Sequence, residues 1–207
     1  MDGTLERARV ERPARAPSAP PLVELVAGER ARVGPEAALV SVERGAVALE
    51  IRTPGAPRGV VACIAGRGDV LLPPAPDEAL RALGPAAVRV LDGDARRGLL
   101  AAPETALALA EALASQLRDR EESIAQLAWP LHGERLRAKL VQLARRHGRV
   151  TRGGIRIDLP LTHQLLADAI GSARETVTVA IRDLRRDGFL AHEGRSYVLK
   201  LGPDELA

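Results

Sequence analysis

Arg174 and Glu175 lie side by side in the stretch GSARETVTVAIRDLRRDGFL. Together they suit one kind of chemistry, the reading of base-pair edges. A guanidinium can bond guanine O6 and N7 at once, and a carboxylate can accept from cytosine N4. Thr178 and Val179 follow within one helical turn; a valine can offer only apolar contact, for example to a thymine methyl. Thr162, Gln164, Thr176, Arg182 and Arg195 lie around this pair. They carry donors suited to phosphate oxygens, contacts that fix register without reading sequence. Alone, such residues are ordinary solvated charges and short polar groups. Their frame decides what they do.

That frame is a helix, a turn and a second helix. Thr162 is a good N-cap for the first helix, and Leu165, Leu166, Ala169 and Ile170 supply its apolar face. Gly171 gives the turn its backbone freedom, and Ser172 is expected to cap the second helix. Val177, Ile181 and Leu184, spaced by four and three, face the core there. Arg174, Glu175, Thr178, Arg182 and Arg185 are left on the outer side. FLAH, Glu193-Gly194 and RSYVLKL then read as a two-strand hairpin, with Arg195 and Lys200 within reach of phosphate and Tyr197 in the core. This is the layout of a winged helix-turn-helix, whose second helix enters the major groove of double-stranded DNA.

Charge supports the same placement. The net charge of the 207 residues is only +3, but residues 132–201 carry 14 Lys/Arg against 7 Asp/Glu. A basic surface on the DNA-reading part is the electrostatic footprint that phosphate binding needs. Aromatic residues are 1% of the chain. The core is therefore built from aliphatic side chains, and stacking of single-stranded bases on exposed rings is not expected.

Upstream, the chain changes character three times. Residues 1–21 are rich in Pro, Arg and Ala and read as a disordered arm; Arg7, Arg9, Arg12 and Arg15 allow it to touch DNA, although Asp2, Glu6 and Glu11 dilute its charge. Residues 22–101 hold short apolar runs separated by Gly and Pro. Ala38–Val42, Ala46–Ile51, Val60–Ile64, Val70–Leu72 and Ala87–Leu91 are candidate strands, and so many short strands imply a compact β-barrel or sandwich. Asp92-Gly93-Asp94 reads as a turn. Residues 102–130 form one long helix and a hinge: Pro103 suits a first turn, and Trp129-Pro130 ends the run. Ala106, Ala110, Leu113, Leu117, Ile124 and Leu127 recur at spacings of three, four and seven, a seam of about three heptads. One reading packs that helix on its own β-domain; the sharper reading, favoured by the polar run from Arg118 to Glu122, makes helix 103–127 the interface of a homodimer. Residues 131–202 are the DNA-binding domain, with a helix from His132 to about His147 and a strand through Ile155 and Ile157 ahead of the helix-turn-helix.

Several function classes are not expected. Cys63 is the lone cysteine, so an intrachain disulfide and a cysteine-built zinc or iron–sulfur site are excluded; within VVACI it reads as a core residue rather than a redox switch. His132, His147, His163 and His192 lack metal-ligand spacing. No P-loop, nucleophile elbow or Gly-rich dinucleotide fingerprint occurs, so an enzyme is not expected. No apolar run reaches membrane-spanning length and no secretory signal opens the chain, which gives a cytoplasmic expectation with no membrane partner.

The segment LTHQLLADAIGSARETVTVAIRDLRRDGFL resembles the signature of the Crp/Fnr family of transcription regulators, and VLDGDARRGLLAAPETALALAEAL resembles its passage from the last β-roll strand through a short helix into the dimer helix. The resemblance implies an α+β fold. It comprises an N-terminal β-roll sensor domain, cupin-like or cyclic-nucleotide-binding-like, then a long dimerisation helix and a C-terminal winged helix-turn-helix. It also implies a homodimer on a two-fold-symmetric operator, with RNA polymerase as a further partner. By position in the motif, Arg174 and Glu175 correspond to two base-reading residues. The third is usually an arginine, and this sequence has Val179 there, so the operator is expected to depart from the family's usual one. Cyclic-nucleotide-binding members carry a Gly-Glu pair and a later Arg-Ser or Arg-Thr; GDVLLPPAPDEALRALG has neither. Residues 1–131 contain no histidine for a haem. No cofactor is expected, and the trigger is either an unknown small-molecule effector or none. The alternative is a degenerate member that serves as a protein-interaction module without specific DNA binding.

Overall fold

The computed structural model describes residues 20–31, 33–52, 54–55, 59–202 and 205. The reading of an N-terminal arm therefore falls almost wholly outside the described residues. The chain runs β1 (Leu22–Leu25), β2 (Arg30–Ala31), β3 (Ala37–Arg44), β4 (Ala46–Ile51), β5 (Val60–Gly66), β6 (Val70–Leu71), β7 (Glu78–Ala82), β8 (Ala86–Asp92), α1 (Gly93–Ala101), α2 (Pro103–Leu127), α3 (His132–His147), β9 (Gly148–Thr151), β10 (Gly154–Ile157), α4 (His163–Ile170), α5 (Arg174–Arg186), β11 (Leu190–Glu193) and β12 (Ser196–Leu199).

The first eight strands make two antiparallel four-stranded sheets, ordered β1-β8-β3-β6 and β2-β7-β4-β5. They face each other across an aliphatic core that includes Leu25, Val40, Val42, Val47, Leu49, Leu71, Leu80 and Val88. Alternation along β4 explains the arrangement: Val47 and Leu49 point into that core, while Ala46 and Ala48 face the opposite way and join the core of the C-terminal domain. All five expected strands form. β1, β2 and β7 form as well; β2 has only two residues, and β7 (EALRA) has charge at two of its five positions, so neither shows a strong apolar run.

Asp92-Gly93-Asp94 is not a free turn. Asp92 is the N-cap of α1, and its carboxylate accepts from Ala95 N at 2.8 Å. Such a cap offsets one of the orphan donors at a helix start. α2 spans the 25 residues expected, with Pro103 in its first turn, but its faces are rotated from the expected seam. Gln116 and Gln126 are buried and Asp119 and Ser123 half-buried, so the polar side of the helix faces the protein. Leu107, Leu117 and Ile124 are 61%, 58% and 68% exposed, with Ala110 and Ala114 on the same outer stripe. Ala106 and Leu113, expected in the seam, are half-buried.

The C-terminal sheet, β11-β12-β10-β9, backs α3 and α5, and α4 packs on those two helices. β9 escapes a sequence reading because its four residues, GRVT, begin with glycine and hold a single large apolar side chain. Among the described residues no helix is long and apolar enough to cross a membrane.

Candidate nucleic-acid interface

The reading unit is α4, its turn and α5. Thr162 caps α4: its hydroxyl accepts from Leu165 N at 3.1 Å. Gly171 closes the helix in the left-handed region, φ 62° and ψ 49°, which a side chain rarely adopts. Ser172 does not cap α5. The N-cap is Ala173, without a side-chain bond, and Ser172 Oγ is buried without a partner. A one-residue offset of the turn therefore separates sequence expectation from structure.

Under α5, Val177, Ala180, Ile181 and Leu184 are buried. They meet Leu165, Leu166 and Ile170 of α4 and Leu136 and Leu140 of α3 in one apolar cluster. This stripe fixes which side of α5 faces outward. Arg174, Glu175, Thr178, Arg182 and Arg185 are exposed, and Val179 is 46% exposed beside them. All four candidate base-reading residues thus share the outer surface of one helix.

The candidate phosphate-contacting residues fall into two groups. Thr162, Arg182 and Arg195 are exposed, Arg195 at the β11–β12 turn that forms the wing tip. Thr176 and Gln164 are half-buried, and Gln164 Nε2 donates to Asp168 Oδ1 at 2.7 Å, so part of its capacity is already used. Arg182 lies 3.8 Å from Asp183, whereas Arg174, Arg185 and Arg195 have no carboxylate within ion-pair distance among the described residues. Cations without a local counter-charge suit phosphate.

His163 joins the two helices. Its Nδ1 lies 2.8 Å from Thr178 Oγ1, and that hydroxyl donates to the Arg174 carbonyl at 2.9 Å. With the hydroxyl proton so placed, His163 Nδ1 is the donor to Thr178. The contact ties the start of α4 to the reading turn of α5. Burial lowers the pKa of His192 on the wing, and the neighbouring Arg185 and His163 push it the same way. The exposed cations here include Arg174, Arg182 and Arg185 on α5 and Arg195 at the wing turn.

Glu175, Thr176 and Val179 also line an open groove of about 710 Å³, whose other wall is Leu131, His132, Glu134 and Arg137 at the start of α3. Tyr197 is 2% exposed and packs 4.4 Å from the His192 ring, a core role as expected. Burial raises the Cys63 thiol's pKa, against the opposing pull of Arg120 and Arg146. A buried thiol is a poor nucleophile. Among the described residues no three His, Cys, Asp or Glu side chains are grouped to hold a metal.

One set of contacts escaped the sequence reading: Asp69, Asp119, Lys139, Gln142 and Arg146 link the β-roll, α2 and the reading domain. Only the α2 side carried a signal, the polar residues Gln116, Asp119, Ser123 and Gln126 spaced three or four apart along the helix.

Residues 134–207 match the model of the Crp-like helix-turn-helix domain. The global nitrogen regulator of Synechococcus elongatus is 40% identical over 96 residues, 46% of this chain and 43% of the relative. The CRP-like cAMP-activated global transcriptional regulator of Mycobacterium tuberculosis is 34% identical over 110 residues, 53% of this chain and 49% of the relative. The match thus spans about half the length of these curated relatives. Whole-chain likeness comes from solved structures. FixK2 of Bradyrhizobium japonicum aligns with TM-score 0.73 at 23% identity, covering 91% of this chain and 96% of that one. A CRP-family transcriptional regulator from Thermus thermophilus aligns with TM-score 0.64 at 26% identity, covering 89% and 94%. The β-roll, the long helix and the winged helix-turn-helix occur in the same order as in these solved structures, and residues 134–207 carry a Crp-like helix-turn-helix domain.

Proposed function

We propose that this chain is a sequence-specific DNA-binding transcription regulator that acts as a homodimer on a palindromic operator. One observation carries the reading. The Arg174–Glu175–Val179 face of α5 stands free to solvent over an intact buried stripe. That is the condition for a helix to enter the major groove without disturbing its own packing.

The dimer rests on α2. Leu107, Leu117 and Ile124 form an exposed apolar stripe on a helix whose polar side is turned inward, the inverse of a solvated surface helix. A second copy of the stripe covers it at heptad spacing. RNA polymerase is the further partner such a regulator meets if it activates.

The Mycobacterium tuberculosis relative is named as cAMP-activated, but that property does not carry to this chain. Residues 72–77, between β6 and β7, contain no helix and three prolines, and the Gly-Glu and Arg-Ser pairs are missing. No helix N-terminus or paired arginine is therefore offered to a cyclic phosphate in this segment.

The test is selection of bound duplexes from a random DNA pool by the full chain, without added ligand. Recovery of a palindromic motif is the expected result. Recovery of no motif, with only salt-sensitive non-specific binding, overturns the reading.

A further inference from the structure

The reading domain does not hang free from its hinge. α4 packs against β5, and Ala46, Ala48, Val61 and Ile64 of the β-roll share one apolar cluster with Leu165 and Ala169 of α4. Beside that contact lies a polar cluster drawn from three parts of the fold. Arg146, on α3, places Nη2 2.6 Å from Asp69 Oδ1 at the β5–β6 turn and Nη1 2.5 Å from Asp119 Oδ2 on α2. The three side chains are only 20%, 18% and 25% exposed. Asp69 is aimed by its own turn, since Oδ2 accepts from Gly66 N at 2.8 Å. Next to the bridge, Lys139 Nζ on α3 donates to Ser123 Oγ and Gln142 Oε1, both at 2.6 Å, and Gln142 Nε2 donates to the Asp119 carbonyl at 2.7 Å.

We propose that the Asp69–Arg146–Asp119 bridge locks the reading domain to the β-roll and to α2, so that the protein itself sets the orientation of α5 without an effector. The DNA-binding part of this inference rests on the function proposed above. Apolar contact between the domains is non-directional and would tolerate several docking angles. A guanidinium held by two carboxylates on two different elements is not so tolerant, because its fork fixes both direction and distance. Partial burial strengthens the bridge, and loss of either partner leaves a poorly solvated charge unpaired. In this locked arrangement the outward face of α5 remains exposed, so the lock presents the reader rather than hiding it. A domain tethered only by residues 128–131 would hold the right orientation for a fraction of the time, and its apparent affinity would fall by that fraction.

Asp69→Asn is the incisive variant. Asparagine keeps an oxygen acceptor for Gly66 N and removes the charge that Arg146 needs. Arg146→Met is the second, removing the bridge from the other side. Hydrogen exchange of the full chain is measured in each. The expected result is exchange faster by roughly tenfold at the amides of β5 and α4, with α5 and β10–β12 unchanged. Affinity for the selected palindrome should fall by roughly tenfold, while non-specific binding holds. Unchanged exchange in both variants overturns the lock. So does faster exchange accompanied by tighter specific binding, since the bridge would then restrain the reader. If the wild-type chain binds no specific duplex, the DNA-reading function fails on its own. The exchange measurement then decides the lock alone, faster exchange supporting it and unchanged exchange overturning it.

Discussion

A Cβ placed on Gly66 of β5 would lie 3.1 Å from Nδ1 of His147, at the end of α3. The β-roll thus meets the reading domain at a point where only glycine fits without displacement. Gly66→Ala asks the ring to give by a few tenths of an ångström. Gly66→Val adds two methyls against the same ring, and the expected result is a loosened domain contact with the reading domain itself intact. Trp129, the sole tryptophan, sits at the hinge, so its fluorescence reports the change alongside hydrogen exchange of β5. Acid should act on the same contact. Burial lowers the pKa of His147 below its ordinary 6.5. The unfolded chain then binds more protons, so stability is lost as pH falls from 6.5 through the lowered folded value. Protection of the β5 amides, taken relative to their intrinsic exchange rate at each pH, should be lower at about pH 5 than at about pH 7.5.

Lys139 is 6% exposed, and burial lowers its pKa from 10.5 to about 8, against opposing attraction from Glu122 and Asp119. Between about 8 and 10.5 the unfolded lysine holds a proton that the folded one has released, so stability rises with pH across that window. Lys139→Met removes the effect. The stability of the wild type relative to the variant should therefore rise by about 3 kcal/mol from the lower to the upper end of the window. At neutral pH the variant's gain is smaller than that, because Gln142 Oε1 loses its donor. Denaturant unfolding of both proteins at several pH values reads the difference directly; a constant gap across the window rules the assignment out.

How much of this was legible in the sequence varies with the range of the interaction. The helix-turn-helix was readable because its signals are local: Thr162 before α4, Gly171 in the turn, and Val177, Ile181 and Leu184 on one stripe of α5. The length of α2 was readable for the same reason. Its orientation was not, because Ala106 and Ala110 are equally apolar and the tertiary contacts of Gln116, Asp119 and Ser123 decide which face turns inward. The Asp69–Arg146 contact joins residues 77 positions apart, and nothing in the spacing of either residue announces the other. Thr178 shows a further limit. It is exposed as expected, but its hydroxyl is shared between Arg174 and His163, a cost that no residue type reveals.

The exposed stripe of α2 gives a prediction about assembly. Leu117 and Ile124 are seven residues apart and both more than half exposed, the spacing at which two copies of a helix meet along a seam. Leu117→Glu or Ile124→Glu places like charges opposite one another across a two-fold axis. The dimer is expected to dissociate at micromolar concentration, with helix content retained, since neither side chain supports its own fold. Sedimentation velocity distinguishes the species. A dimer that survives both substitutions places the interface elsewhere.

Arg174 and Arg182 both stand on the outward face of α5, yet they should fail differently. Arg174 is in the first turn, where a recognition helix reaches base edges. Arg174→Ala should cost roughly 1–3 kcal/mol at one position of the half-site and relax the preference there. Arg182 lies two turns further along, within reach of backbone phosphate but not of that base. Arg182→Ala should weaken all duplexes alike and flatten the dependence of log affinity on log salt by about 0.9 for each phosphate no longer neutralised. Val179→Arg is the converse change: position 179 is 46% exposed, so a guanidinium fits there, and a new guanine preference should appear in the selected half-site. Repeated duplex selection with the three variants separates these outcomes. Identical motifs from wild type and Arg174→Ala would remove Arg174 from the base-reading set.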